Sequence, residues 1–172
     1  MAPSEDVVIR KRTAADLPAC VGLLRQVHER DRYPLNWPAD PVAFLTPADE
    51  LVTWVATRDA VVVGQVMLAT APEGLAALST STDEQQARSE NLLLLRQLFV
   101  APAARGQRLG SRLLDVATAE AAARGRRAAL EVLSINVDAI TLYERSGWTA
   151  VGRTTPHWVP EGMHAVVFLA PS

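Results

Sequence analysis
Hydrophobic and polar positions along the chain follow two different periods, and each switch between them marks the border of an element. Val7 to Arg12 alternates enough for a short first strand, after which Thr13 and Asp16 stand at the spacing of a helix-starting capping box. Leu17, Val21, Leu24 and Val27 recur at helical spacing and predict one buried stripe on a helix running to about Arg30. Two prolines in Tyr33-Pro34-Leu35-Asn36-Trp37-Pro38 end that helix, because proline lacks an N–H donor and restricts the residue before it. Asp40 to Leu45 has room for a short second helix. Leu51 to Thr57 and Ala60 to Ala69 are β-rich runs separated by Arg58-Asp59, the spacing of an antiparallel hairpin.

Pro72 to Glu90 is polar and reads as a long surface loop with space for one helical turn. Leu92 to Val100 is an apolar run broken only by Arg96-Gln97, the pattern of a central strand. Gly110 to Arg124 carries Leu113, Leu114, Val116 and Ala117 at helical spacing and stops at Gly125. Ala128 to Leu133 predicts a strand, Val137 to Arg145 a helix ended by Ser146-Gly147, and Trp148 to Arg153 and Ala165 to Leu169 two last strands. Such an order of elements implies an α/β (α+β) fold with a mixed sheet. No internal repeat or linker interrupts it, so residues 1–172 are expected to form one domain.

Composition narrows the function classes. The 49% hydrophobic content suffices for a full core, and a formal net charge of -2 offers no basic field for a nucleic-acid partner. Cys20 is the single cysteine, which excludes an intrachain disulfide and a multi-cysteine zinc site and suits a reducing cytoplasm. It reads as a small apolar core residue. The first residues lack a signal-peptide pattern and the apolar runs are too short to span a bilayer, so a cytoplasmic protein without a membrane partner is expected. His28, His157 and His164 show no ligand spacing, and no metal is expected.

The chemistry concentrates between Leu98 and Leu114. A strand and a proline lead into Arg105-Gly106-Gln107-Arg108-Leu109-Gly110 and then a helix, so unpaired backbone N–H groups and the positive end of the helix dipole meet two guanidinium groups. That is a cradle for a phosphate-bearing ligand, or else a solvated basic loop. Neither a Gly-Lys-Ser/Thr ending nor a two-glycine dinucleotide fingerprint accompanies it. A second block follows, from Leu130-Glu131-Val132-Leu133 through Asn136-Val137-Asp138-Ala139-Ile140-Thr141-Leu142-Tyr143 to Gly147-Trp148.

Together the two blocks resemble the GNAT superfamily of acyl-CoA-dependent N-acyltransferases, whose signature is a Gln/Arg-x-x-Gly-x-Gly/Ala loop followed by an Asn-x-x-Ala-x-x-Leu-Tyr-x-x-x-Gly-Phe helix. The second block is similar to the branch that acetylates protein N-termini. The detailed match covers Leu92 to Arg153 and departs at Arg108, where the signature has its middle glycine. The resemblance implies a mixed, mostly antiparallel central sheet of about seven strands with about four helices, splayed at the cofactor site. It also implies acetyl-CoA (coenzyme A) as cofactor, an amine acceptor that is a small molecule or a peptide, and a homodimer as one possible assembly.

Residue by residue, Leu98, Phe99 and Val100 would pair with the pantetheine arm as an added strand. The amides of Arg105, Gly106, Gln107, Arg108, Leu109, Gly110 and Ser111 would hold the pyrophosphate. Tyr143 stands at the place of the general acid: a phenol of reference pKa ~10 is protonated at neutral pH and can return a proton to a departing thiolate. The same residue also reads as a helix aromatic packed on the sheet. Glu131 reads two ways, as the base that accepts the amine's proton or as a carboxylate at a solvent edge or paired with an arginine. Asn136 suits a cofactor contact, the cap of the helix after it, or both. Tyr33, Trp37 and Trp158 are candidates for the acceptor wall, with packing the simpler role for Trp37. His157 is a reserve base. The leading function is an acetyl-CoA-dependent N-acetyltransferase working by direct transfer; the rival is a non-catalytic acyl-CoA-binding sensor or scaffold.

Overall fold
A computed structural model describes residues 6–72, 75 and 91–172. The surface loop expected over Pro72 to Glu90 lies, apart from Pro72 and Leu75, outside the described residues. In chain order the elements are β1 (Val8–Lys11), α1 (Leu17–Asp31), α2 (Pro41–Leu45), β2 (Glu50–Arg58), β3 (Val61–Thr70), β4 (Leu92–Val100), α3 (Leu109–Ala123), β5 (Arg127–Leu133), α4 (Val137–Arg145), β6 (Thr149–Thr154) and β7 (Ala165–Leu169). Short 3-10 turns stand at Ala14–Asp16 and Pro102–Ala104. Among the described residues seven strands hydrogen-bond in the order β1-β2-β3-β4-β5-β7-β6. β1 with β2, β5 with β7 and β6 with β7 are antiparallel, whereas β4 and β5 are parallel. The sheet is mixed, as the order of elements predicts, and mostly antiparallel, as the resemblance implies.

Local chemistry moves several borders. Asp16 accepts the Thr13 N–H at 2.7 Å and takes both Arg10 Nη groups at 2.7 Å, so the capping box closes a 3-10 turn and α1 begins only at Leu17. The buried stripe of α1 is Cys20, Leu23, Leu24 and Val27, while Leu17 and Val21 are half-buried. Counting i, i+3, i+4, i+7 from Cys20 reproduces that stripe, and the thiol serves as its apolar start. The hairpin turns at Asp59 and Ala60 rather than Arg58-Asp59, with φ of 49° and 65°. Left-handed geometry at both central residues lets a two-residue turn follow the twist of its strands.

The chain forms two compact units, Met1–Leu68 with Gln97–Asp115 and Ala69–Arg96 with Val116–Ser172. In the first, a Cβ on Gly64 of β3 would lie 3.0 Å from Leu113 Cδ1 and 3.5 Å from the Phe99 carbonyl, so glycine permits the close approach of α3. A polar chain also runs through this unit. The Arg12 guanidinium, its side chain 5% exposed, donates through Nη2 to Glu50 at 2.9 Å and to the Leu45 carbonyl at 2.8 Å, and through Nη1 to Gln65 Oε1 at 3.1 Å. Gln65 Nε2 then donates to Gln97 Oε1 at 3.1 Å. In the second unit Leu75, Leu92, Leu94, Ala129, Val167 and Leu169 form an apolar cluster, with Ala71 and Val151 packed against it. The β4–β5 ladder pairs Leu92–Leu94 with Arg127–Ala129, while β5 pairs with β7 from Ala129 to Leu133.

Candidate active site
In the first unit the candidate residues lie at the end of β4, in the following loop and at the start of α3. Leu98 and Val100 are half-buried and Phe99 is buried. Ala101 N–H donates to the Val63 carbonyl at 2.8 Å, fastening the strand's exit, and the 3-10 turn over Pro102–Ala104 redirects the chain. Gly106 then takes φ 81° and Arg108 φ 59°, both left-handed. Arg108 therefore keeps the backbone form that glycine favours, at a cost of ~1–2 kcal/mol for an L-residue. Its carbonyl accepts the Arg112 N–H at 3.0 Å, so α3 starts immediately after it. The N–H groups of Leu109, Gly110 and Ser111 thus point out of the helix start, with no acceptor inside the helix.

The loop side chains divide between structure and solvent. Arg105 donates to the Val100 carbonyl from Nε at 3.3 Å and Nη2 at 3.2 Å, and Nη2 also pairs with Asp31 at the end of α1. Its guanidinium is thus engaged by the Val100 carbonyl and Asp31. Gln107 Oε1 accepts from Arg58 Nη2. Arg108 is exposed, and its guanidinium has no partner among the described residues.

The second unit carries Glu131, Asn136 and Tyr143. Glu131 is half-buried on β5 opposite Val167, with β4 and β7 as the strand's neighbours. Burial raises its carboxyl pKa, and among the described residues neither an arginine nor a hydrogen-bond donor compensates it. The arginine-paired alternative is therefore not what the structure has, and at Glu131 the strand pairs with β7, the β4 ladder ending at Leu94 and Ala129. Asn136 is exposed and caps α4, its Oδ1 accepting the Ala139 N–H at 3.3 Å. Tyr143, on the buried face of α4, has its ring 6.0 Å from Trp148 and 5.8 Å from Phe168.

On the acceptor side Tyr33 stands 6.2 Å from Phe99, ring to ring. Trp37 packs against His28 at 5.4 Å and lies under the Arg25 guanidinium at 4.6 Å, which makes it an anchor of the segment after α1. Trp158 is 41% exposed in the loop before β7. That loop is joined to the β5–α4 connection by Ser134 N–H donating to the His164 carbonyl at 3.1 Å. His157 is exposed. Burial pushes the Cys20 thiol up to about 11, so it is not a nucleophile. Among the described residues no group of three His, Cys, Asp or Glu could hold a metal ion, and no helix is long and apolar enough to cross a membrane.

Two residues of interest escape a reading of motifs. Gln97, in the middle of β4, has φ 53° and is 6% exposed. Asp31 ends α1 as the partner of Arg105. The signal for Gln97 was the Arg96-Gln97 break in an otherwise apolar run; Asp31 left none.

The sequence profile of the Acetyltransferase (GNAT) family matches residues 24–148. No curated protein sequence matches the chain. Among solved structures it is similar to the ribosomal-protein-S18-alanine N-acetyltransferase of Escherichia coli, with TM-score 0.68 and 20% identity over 96% of this chain and 94% of that one. It is similar to Arabidopsis thaliana NAA60 in complex with acetyl-CoA, with TM-score 0.70 and 21% identity over 95% and 97%. A third is the PaiA N-acetyltransferase of Thermoplasma acidophilum in complex with coenzyme A, with TM-score 0.67 and 16% identity over 97% and 99%. At these identities the likeness is one of fold, and the family rests on the profile, whose span takes in the loop, Glu131, Asn136 and Tyr143. On that match the chain belongs to the acetyltransferase (GNAT) family.

Proposed function
We propose that the protein is an acetyl-CoA-dependent N-acetyltransferase that moves the acetyl group to a primary amine by direct attack in a ternary complex. The observation that carries this reading is the junction of β4 and α3, where left-handed Gly106 and Arg108 lead into the outward N–H groups of Leu109 to Ser111. Those donors fit a pyrophosphate, and the exposed Arg108 guanidinium adds positive charge. Acetyl-CoA supplies an activated thioester when bound; the solved relatives that hold acetyl-CoA or coenzyme A support its choice.

The chain's own residues then divide the work. Leu98 to Val100 align the pantetheine arm, with the Val100 carbonyl already held by Arg105. A backbone N–H near Val100 stabilises charge growing on the acetyl oxygen. Glu131 takes the proton of the incoming ammonium, directly or through water, a task suited to a carboxyl whose pKa burial has raised. Tyr143 returns a proton to the leaving sulfur, and Asn136 adds a contact to the pantetheine amides while capping α4. Tyr33 and Trp158 are the residues assigned to the acceptor, and Trp37 anchors the segment that carries Tyr33. Residues 1–172 act as one catalytic domain in the cytoplasm. The rival, a binding module without turnover, draws on Arg108 in the loop and on the open choice of base; the left-handed φ of Arg108 weighs against the first of these. A coupled assay of free thiol over a panel of peptides, amino acids and polyamines tests the reading. Amine-dependent thiol release is expected; saturable acetyl-CoA binding with no release for any amine would sink it.

A further inference from the structure
Residues 31–45, which leave α1 and form α2, are fastened to the last residues of β4 at three separate points. Gln97 Nε2 donates to the Phe44 carbonyl at 2.7 Å. The Phe99 ring meets Tyr33 at 6.2 Å. The Val100 carbonyl and the Asp31 carboxylate share the Arg105 guanidinium. Gln97, Phe99 and Val100 of β4 thus belong to one cross-linked patch with the segment that carries Tyr33 and Trp37.

Gln97 is the costly member of this set. A non-glycine residue at φ 53° inside a strand is a backbone outlier of ~1–3 kcal/mol, and it persists only where its surroundings over-determine it. Here they do. Its amide is buried, its Oε1 receives Gln65 Nε2, and Gln65 is fixed in turn by Arg12, whose other Nη reaches Glu50 and the Leu45 carbonyl. Phe44 and Leu45 are the last residues of α2, whose carbonyls have no helical partner. Gln97 and Arg12 thus satisfy the end of a five-residue helix that could not hold its shape alone.

We infer that Gln97 is a positioning residue that makes the acceptor-side segment 31–45 and the acyl-holding end of β4 one mechanical piece, so that filling one orders the other. The inference rests on the reading of Leu98 to Val100 as the acyl-holding strand and adds to it a coupling between the two substrates. When β4 is held by the first ligand, the Gln97 amide keeps α2 in its bound form and the amine meets a preformed wall.

The test compares the wild type with Gln97→Met, which keeps length and loses both the Nε2 donor to Phe44 and the Oε1 acceptor for Gln65. Calorimetry gives acetyl-CoA affinity, and hydrogen exchange follows the amides of Ala43 to Thr46. Acetyl-CoA is expected to slow their exchange at least about threefold in the wild type and to leave it unchanged in Gln97→Met. Affinity should stay within about twofold, while kcat/KM for the amine falls about tenfold. Equal slowing in both proteins overturns the coupling while leaving the proposed activity intact. No acetyl-CoA binding by the wild type overturns the parent reading and the inference with it. Should Gln97→Met fail to fold, Asp31→Asn, an exposed change that weakens the Arg105 fastening, decides: a reduced slowing supports the coupling and an undiminished one overturns it.

Discussion
Tyr143, Glu131 and Arg108 each make a separable claim at the scale of the residue. Tyr143→Phe keeps the ring that packs on Trp148 and Phe168 and removes only the hydroxyl, so kcat is expected to fall ~10²-fold with acetyl-CoA affinity little changed. Steady-state rates with calorimetry check this; equal turnover would remove Tyr143 as the acid. Glu131→Gln carries two opposite expectations. Burial raises the carboxyl's pKa, so the folded protein holds that proton to higher pH than the unfolded chain does, and stability declines as pH rises through the raised value. The amide variant loses that decline and gains thermal midpoint at neutral pH relative to the wild type, while its kcat/KM loses the limb that rises with pH. Arg108→Gly relieves a left-handed side chain, so stability should hold or rise by up to ~1 kcal/mol, whereas acetyl-CoA affinity drops with the guanidinium. Glu131, Asn136 and Tyr143 stand out in the sequence because they share a compact block that resembles the family's. Gln97 was not, since its role lies in a backbone angle and in a carbonyl 53 residues away.

Among the elements, α1 and α2 owe their placement to polar contacts as much as to apolar periodicity. Asp16, held by Arg10 and the Thr13 N–H, closes the turn before α1, and its carboxyl lies well below the ordinary ~3.9 for aspartate, chiefly through the Arg10 hydrogen bonds. Its contribution is whole above pH ~4 and is lost as pH falls toward the folded value, because the unfolded chain takes the proton first. Thermal midpoints measured from pH 6 down to pH 3 should therefore fall more for the wild type than for Asp16→Asn. For α2, Glu50→Gln strips the charge partner from a guanidinium that is 5% exposed; a loss of ~2–3 kcal/mol is expected by denaturant titration, less than for a fully buried pair because Glu50 keeps contact with water. Periodicity found every strand and helix among the described residues, and its misses were local. The α1 stripe turned because Cys20 counts as apolar, and the hairpin moved by one residue because Asp59 and Ala60, neither of them glycine, adopt left-handed geometry.

At the scale of the whole molecule the described strands run in the order β1-β2-β3-β4-β5-β7-β6 with β4 and β5 parallel, and the chain belongs to the acetyltransferase (GNAT) family. The mixed character of the sheet was readable from the order of elements, since the strand, helix, strand passage across Gly110 to Arg124 supplies the crossover that a parallel pair needs. The exchange of β6 and β7 at the sheet's end was not, because local patterns carry no information about which edge a returning strand joins. The acceptor was equally unreadable: the residues proposed for it, such as Tyr33 and Trp158, are loop side chains whose types serve packing and recognition alike. Direct transfer to an amine is the central claim, and a single-turnover reaction with carbon-13-labelled acetyl-CoA, read by mass spectrometry on both protein and acceptor, tests it most directly. The account predicts the label on the nitrogen of one class of amine and an unmodified protein at every time point; label on the protein ahead of the acceptor, or on no acceptor while acetyl-CoA binds, would contradict it.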